Sequence, residues 1–157
     1  MKKKAEDSGK TYTAEDHRYV QMKRQHKLFG NIEFIGELYL CHLLRPDTVK
    51  SIFEHLLHMD CFMDDTVEAA LRFIEKVGPT IEERMSASEG IKRKISAEDY
   101  EVILSKFRKI WQDSETAAAG TRTVGKRIQK LAQNMLENQS LGWKKLKQKD
   151  TDVKTKD

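Results

Sequence analysis

The chain has 157 residues, of which 34% are charged and 38% are hydrophobic, and only two are prolines. This length suffices for one domain with a hydrophobic core, and this balance is typical of a helical domain with a strongly charged surface. The formal charge of +4 allows a polyanionic partner without requiring one. No apolar run approaches the ~18 residues of a membrane-spanning helix, and the lysines after Met1 lack the apolar segment of a secretory signal.

Two cysteines, Cys41 and Cys61, do not form a disulfide framework in a chain of this size. They favour a reducing compartment, the cytosol or the nucleus.

Residues 1–12 and 144–157 are polar, lysine-rich and without periodicity, which predicts a flexible lead-in and a flexible tail. Between them, residues 13–143 are predicted to form the folded domain.

The first helix is predicted to begin at Thr13, because acidic residues follow this capping residue in the first turn. It runs toward Phe29 and either breaks at Gly30-Asn31 or continues to Leu44. A glycine inside a helix costs roughly 1 kcal/mol relative to alanine, so Gly30 and Gly36 predict close packing against neighbouring helices. The segment around them is apolar on nearly every side, which indicates a helix buried among others.

Pro46 suits the first turn of a second helix. Asp64 or Asp65 is predicted to cap the third, and Gly78-Pro79 is predicted to end it. Residues 80–95 then form a charged loop. The apolar stripes of the second and third helices follow helical spacing. The stripe of the second helix comprises Val49, Ile52, Phe53, Leu56 and Leu57, and that of the third comprises Val67, Ala70, Leu71, Ile74 and Val77.

Ser96 opens a fourth helix, and a fifth follows Gly120. Their inward residues are Tyr100, Ile103, Leu104, Phe107, Ile110 and Trp111, then Val124, Ile128, Leu131, Met135 and Leu136. No segment indicates a strand. The predicted fold is therefore all-α, with antiparallel helical hairpins stacked as a partial HEAT-like α-solenoid. No sequence period is visible, so a compact helical bundle remains the alternative.

The segment Gly30-Asn31-Ile32-Glu33-Phe34-Ile35-Gly36-Glu37-Leu38-Tyr39 follows the basic residues Lys23, Arg24 and Lys27. It resembles the signature helix of the middle domain of the eukaryotic translation initiation factor four-G scaffold. Two later segments, from Thr66 to Gly78 and from Arg127 to Trp143, resemble later landmarks of that family. The similarity covers about residues 20–145 and corresponds to the C-terminal portion of such a domain in a divergent member.

This resemblance implies a cytoplasmic, non-catalytic scaffold of translation initiation that binds a DEAD-box RNA helicase and RNA. Such a scaffold acts by binding one helicase conformation more tightly than another. The alternatives are a helical-repeat scaffold in messenger RNA decay or nuclear cap binding, and a plain helical RNA-binding domain. The residues show no nucleophile with a base at a recognisable spacing, no phosphate-binding glycine loop and no paired-carboxylate motif, so neither an enzyme nor a cofactor is expected.

Four residues are predicted to bind the helicase. Trp143 lies beyond the last apolar stripe and corresponds to a family residue that contacts the helicase; the alternative is that it folds back and seals the end of the solenoid. Phe34 belongs to a second apolar stripe, with Leu38 and Cys41, which the upstream helices of a whole family domain would partly cover. In this chain the stripe is either exposed or used for self-association. Asp64 and Asp65 could meet basic surface on a helicase lobe, although helix capping explains them first.

A basic track along the last helix is predicted to contact the RNA backbone, in a salt-dependent and weakly sequence-selective manner. The alternative is an ordinary solvated face. The predicted residues are Arg122, Lys126, Arg127, Lys130, Lys144 and Lys145.

Histidines and a cysteine near the second helix raise the question of a metal site. His55, His58 and Cys61 lack the paired spacing that makes a zinc assignment firm. Structural histidines and buried thiols are much commoner, so no metal is expected.

Overall fold

The computed structural model describes residues 11–58, 63–87, 94–116 and 124–144. Within these ranges the chain is all-α, as the sequence predicts, and contains no strand. None of the helices found there is long and apolar enough to cross a lipid bilayer. The helices are α1 (Ala14–Leu40), α2 (Pro46–Leu56), α3 (Asp64–Ser86), α4 (Ala97–Thr116) and α5 (Lys126–Ser140).

Helix α1 begins at its predicted cap. The Thr13 hydroxyl accepts a hydrogen bond from the Asp16 amide (3.2 Å), and the Asp16 carboxylate accepts one from the Thr13 amide (2.9 Å). This reciprocal arrangement satisfies two amides that have no partner inside the helix. The helix then passes through Gly30-Asn31 without a break and ends at Leu40, short of Leu44.

The C-terminal end of α1 is held by a side chain from α3. His42 adopts a left-handed conformation (φ 62°), and its amide donates to the Tyr39 carbonyl. The buried Arg84 guanidinium donates to the Tyr39 and Leu40 carbonyls at 3.3 to 3.4 Å. A cation at this position also complements the negative end of the helix dipole.

The two glycines of α1 differ in their surroundings. A Cβ atom on Gly36 would come within 2.6 Å of Cδ of Lys76, which confirms the predicted close packing there. A Cβ atom on Gly30 would meet no atom within 4 Å in the described part of the chain. For Gly30 the prediction of packing within the chain is wrong.

Helix α3 does not end where the sequence predicts. It continues through Gly78-Pro79 to Ser86, so the helix includes the first part of the predicted loop 80–95. An interior proline removes one backbone hydrogen bond and costs about 3 kcal/mol. Ile81 and Arg84, beyond the proline, are both buried, and their packing offsets that cost.

Helices α1 and α3 run in the same direction. Gln25 of α1 donates to Asp65 at the start of α3 (3.0 Å), and Arg84 near the end of α3 reaches Tyr39 near the end of α1. The short connection 41–45 and helix α2 lie between them in sequence, so α2 returns the chain to its starting edge.

Helices α3 and α5 repeat this relationship. The Gly125 amide at the start of α5 donates to Asp64 at the start of α3 (3.0 Å), and Gln139 near the end of α5 donates to Glu82 (2.8 Å). Lys50 of α2 pairs with Asp99 of α4 at 2.8 Å. The fold is thus two layers, with α1, α3 and α5 parallel in one layer and α2 and α4 in the other.

The core lies between these layers. The ring of Phe53 packs against Phe73 at 4.9 Å and against Phe107 at 6.3 Å between centroids, which joins α2, α3 and α4. The apolar stripes predicted for α2 to α5 are confirmed, with Ile52, Trp111, Leu131 and Leu136 half-buried at their margins and the other predicted residues buried. The prediction that the glycine-containing segment of α1 is buried among helices on nearly every side is wrong, since Phe34 is 63% exposed.

Candidate functional site

Trp143 lies in a turn that directs the chain back onto α3. Its amide donates to the Asn138 carbonyl (2.8 Å), the Gly142 amide donates to Gln139 (3.0 Å), and residues 142 and 143 have φ values of 67° and 60°. These bonds form a Schellman motif, which satisfies the last carbonyls of a helix. The left-handed conformation is unusual for a tryptophan, so packing of the indole must hold it there.

The indole of Trp143 is 2% exposed. Its Cζ2 atom lies so close to Gly78 that a Cβ atom at residue 78 would come within 2.6 Å. The prediction that Trp143 lies outside the core is therefore wrong, and the alternative, that it folds back and seals the end of the stack, is what the structure shows. Its Nε1 atom has no hydrogen-bond partner among the described residues.

Phe34 is 63% exposed on α1. Along the same outward face, Leu38 is half-buried and Cys41 is exposed. The second apolar stripe is thus open to solvent, as the sequence allowed. The role of Phe34 in helicase binding stays a prediction.

The two aspartates at the start of α3 do not cap it. The cap residue is Met63, whose backbone amide donates to the Thr66 hydroxyl (3.1 Å). Asp64 instead accepts from the Gly125 amide, and Asp65 accepts from the Gln25 side chain. These carboxylates therefore link α3 to its two neighbours in the layer, a role that sequence reasoning missed because the partners are distant along the chain.

The basic track is only partly free to bind an anion. Arg127 donates two hydrogen bonds, at 2.8 and 3.0 Å, to the buried carboxylate of Glu68, and Arg72 donates a third at 3.1 Å. The Arg127 and Arg72 hydrogen bonds hold the pKa of Glu68 below its usual value against the opposing effect of burial. Arg127 thus has a structural role in joining α5 to α3.

The lysines of the track are more accessible. Lys126, Lys130 and Lys144 are exposed, and Lys130 donates to the Gln133 side chain at 3.1 Å. Arg122 and Lys145 lie outside the described residues. The exposed lysines Lys126 and Lys130 are four residues apart, so they project from the same face of α5.

No group of three metal-ligating side chains occurs within the described ranges. His55 and His58 are exposed at the end of α2, and Cys61 lies outside those ranges.

The stack of helices in two layers, joined by ion pairs and hydrogen bonds between its parallel members, defines a helical-repeat scaffold domain. Residues 14–142, from the start of α1 to the turn after α5, match the MIF4G domain, and the chain belongs to this family. Domains of this family are generally non-catalytic helical scaffolds that occur in translation initiation, messenger RNA decay and cap binding. Searches of curated proteins and of solved structures found no match.

Proposed function

We propose that this chain is a cytoplasmic, non-catalytic scaffold of translation initiation that binds a DEAD-box RNA helicase and contacts RNA. The observation that carries this proposal is the MIF4G match, which spans all five described helices. The helicase and the pathway follow from the resemblance of the Gly30–Tyr39 segment to the initiation scaffold.

The interhelical contacts support a mechanism based on a preformed surface. Gln25–Asp65, Asp64–Gly125 and Arg127–Glu68 join the three parallel helices near the edge where α3 and α5 begin. A surface fixed in this way loses little conformational entropy on binding. Such a surface can then bind one arrangement of the helicase more tightly than another. Only this difference in affinity shifts the equilibrium between the helicase conformations.

Within this proposal, Phe34 is the exposed aromatic contact. Tryptophan and other aromatic residues dominate binding hot spots when they become buried by a partner. Trp143 supports helicase binding by holding the end of the stack. The RNA contacts are assigned to the exposed lysines Lys126, Lys130 and Lys144, which would neutralise phosphates without reading sequence.

The test is the ATPase rate of a translation-initiation helicase with and without the 157-residue chain. We expect stimulation by the wild-type chain, and reduced stimulation by Phe34→Ala at equal folded concentration. Val102→Ala is the matched control, because Val102 is 52% exposed and lies on α4 in the other layer. It should leave stimulation unchanged.

Two results would contradict the proposal. One is a well-folded chain that neither binds nor stimulates the initiation helicase. The other is selective stimulation of a helicase of messenger RNA decay, which would assign the chain to the alternative pathway.

A further inference from the structure

A groove lies between the C-terminal part of α3 and the turn that follows α5. Its volume is about 590 Å³. Pro79 and Trp143 contribute apolar walls, and Glu82, Glu83 and Ser86 line it from one face of α3. Since the groove is formed where α3 meets the end of α5, it does not involve α1 or the outer side of α1.

The two carboxylates of this groove lack a cation. Glu82 accepts hydrogen bonds from the neutral side chains of Tyr100 (2.7 Å) and Gln139 (2.8 Å). Glu83 is exposed, and among the described residues neither carboxylate forms an ion pair. The neighbouring Arg84 is directed toward the end of α1 instead. Within the described part of the chain, both negative charges are therefore uncompensated.

The helix ends around the groove add to this negative potential. Helix α3 ends at Ser86 and α5 ends at Ser140, and the C-terminal end of a helix carries about half a negative charge. Helix α5 has no basic residue in its last turn. A cation bound here would relieve the repulsion between the carboxylates and the helix ends. The groove thus favours a basic ligand and disfavours a phosphate.

One wall of the groove also contains an unsatisfied donor. Trp143 is 2% exposed, and its Nε1 atom has no acceptor among the described residues. Buried polar groups nearly always have a partner, so this N–H indicates an acceptor that lies outside the described residues. A peptide segment supplies carbonyl oxygens as well as cationic side chains, whereas a simple amine or a metal ion supplies no acceptor.

The chain that follows Trp143 carries these groups. Lys144 is exposed, and residues 145–149 have the sequence Lys-Leu-Lys-Gln-Lys. Three extended residues span roughly 10 Å, so Leu146 can reach the groove from Trp143. The long aliphatic stems of the lysines on either side of Leu146 allow their ammonium groups to reach carboxylates on the rim.

We infer that residues 145–149 fold back into this groove and dock on α3. Leu146 covers Pro79, and the lysines beside it neutralise Glu82 and Glu83. Docked lysines are withheld from other anions, so the docked tail and an RNA-bound tail exclude each other. That competition rests on the proposed RNA contacts, whereas the docking does not.

The test is nuclear magnetic resonance of the full 157-residue chain labelled with ¹⁵N. We expect the amides of residues 145–147 to have heteronuclear NOE values close to those of α5, and the amides of residues 154–156 to have much lower values. Glu83→Lys should lower the values at 145–147 to those of 154–156 and should shift the indole N–H signal of Trp143. Trp111 is the only other tryptophan, and its indole signal should not move.

Matched variants separate docking from a general effect of charge. Leu146→Asp should release the segment as Glu83→Lys does. Glu54→Lys makes the same charge change as Glu83→Lys at an exposed position of α2, and Lys154→Glu changes the charge farther along the tail. Both controls should leave the NOE values at 145–147 unchanged.

Three results would overturn the inference. The first is a wild-type chain in which residues 145–147 are as mobile as residues 154–156. The second is an ordered segment that Glu83→Lys does not release. The third is order that increases with protein concentration, which would assign the groove to the tail of a second copy. Single-stranded RNA should also release the segment, and RNA that binds without doing so would contradict the competition but not the docking.

Discussion

The indole of Trp143 lies directly on the backbone of Gly78, with no room for a β-carbon between them. Two unfavourable features therefore occur together, a glycine inside α3 and a tryptophan with φ of 60°. Each alone costs free energy, about 1 kcal/mol for the glycine and about 1 to 3 kcal/mol for the backbone of the tryptophan. Together they allow a large aromatic side chain to close the end of the core.

Gly78→Ala should lower the free energy of unfolding by about 1 to 3 kcal/mol, since a methyl group would displace the indole. Urea denaturation followed by tryptophan fluorescence measures this, with Trp111→Phe as the background so that Trp143 alone reports. The same substitution in a Trp143→Ala chain is the control, and its unfolding is followed by circular dichroism because no tryptophan remains. There, alanine should be neutral or stabilising, because its helix propensity is higher. Equal destabilisation in both backgrounds would show that the two residues are not coupled.

Acid should weaken the contact between α3 and α5. The Arg127 and Arg72 hydrogen bonds lower the pKa of Glu68 from its usual 4.5. Because the folded-state pKa lies below the unfolded one, this contribution to stability is fully present above the unfolded pKa. It is lost as the pH falls through the lower, folded value.

The measurement is the free energy of unfolding between pH 7 and pH 3 for the wild type and for Glu68→Gln. Asp16, Asp99 and Glu101 also have lowered pKa values, so both proteins should lose stability in acid. The glutamine variant should be less stable at pH 7. The slope of its unfolding free energy against pH should also be smaller, by an amount that corresponds to up to about one bound proton. Parallel pH profiles would exclude a contribution from Glu68.

Arg84→Met should destabilise the chain by about 1 to 3 kcal/mol, because the Tyr39 and Leu40 carbonyls would lose a buried, charged donor. Amide hydrogen exchange should accelerate in the last turn of α1. Arg108→Met is the matched control, since Arg108 pairs with Glu101 on the surface and its loss should stay within about 0.5 kcal/mol. Similar effects of the two substitutions would argue against a special role for Arg84.

Replacing Lys126 and Lys130 together by alanine should weaken RNA binding and lower its salt dependence. Two lost phosphate contacts reduce the slope of log affinity against log salt by roughly 1.4 for a single strand. Binding titrations of a single-stranded RNA at several salt concentrations give this slope. Lys109→Ala, an exposed lysine on α4, serves as the control and should leave the slope unchanged. An unaltered slope in the double variant would show that residues other than Lys126 and Lys130 contact the RNA.

Local patterns in the sequence predicted most of the helices. The caps at Thr13 and Ser96 and the apolar stripes depend on residues close together along the chain, and they appear where expected. The end of α3 at Gly78-Pro79 was mispredicted for a physical reason. Both residues are typical helix terminators, but the packing of Ile81, Arg84 and Trp143 around them overrides that preference.

The candidate site was less predictable, because its contacts join distant segments. Arg127 was assigned to a basic track, yet it forms an ion pair with the buried carboxylate of Glu68, 59 positions away in the sequence. Asp64 and Gly125 are 61 positions apart. No pattern within a single helix reveals such partners, since each residue alone is also explained by capping or by solvation.

The shared starting edge of α3 and α5 has an electrostatic consequence. Parallel neighbouring helices bring two N-terminal dipole ends, each equivalent to about half a positive charge, to the same place. Asp64 lies in the first turn of α3, beside Asp65, and accepts a hydrogen bond from the Gly125 amide that precedes α5. Its carboxylate therefore lies close to the positive ends of both helices. This carboxylate therefore stabilises the parallel alignment of the two helices at their beginnings, in addition to the apolar contacts farther along them.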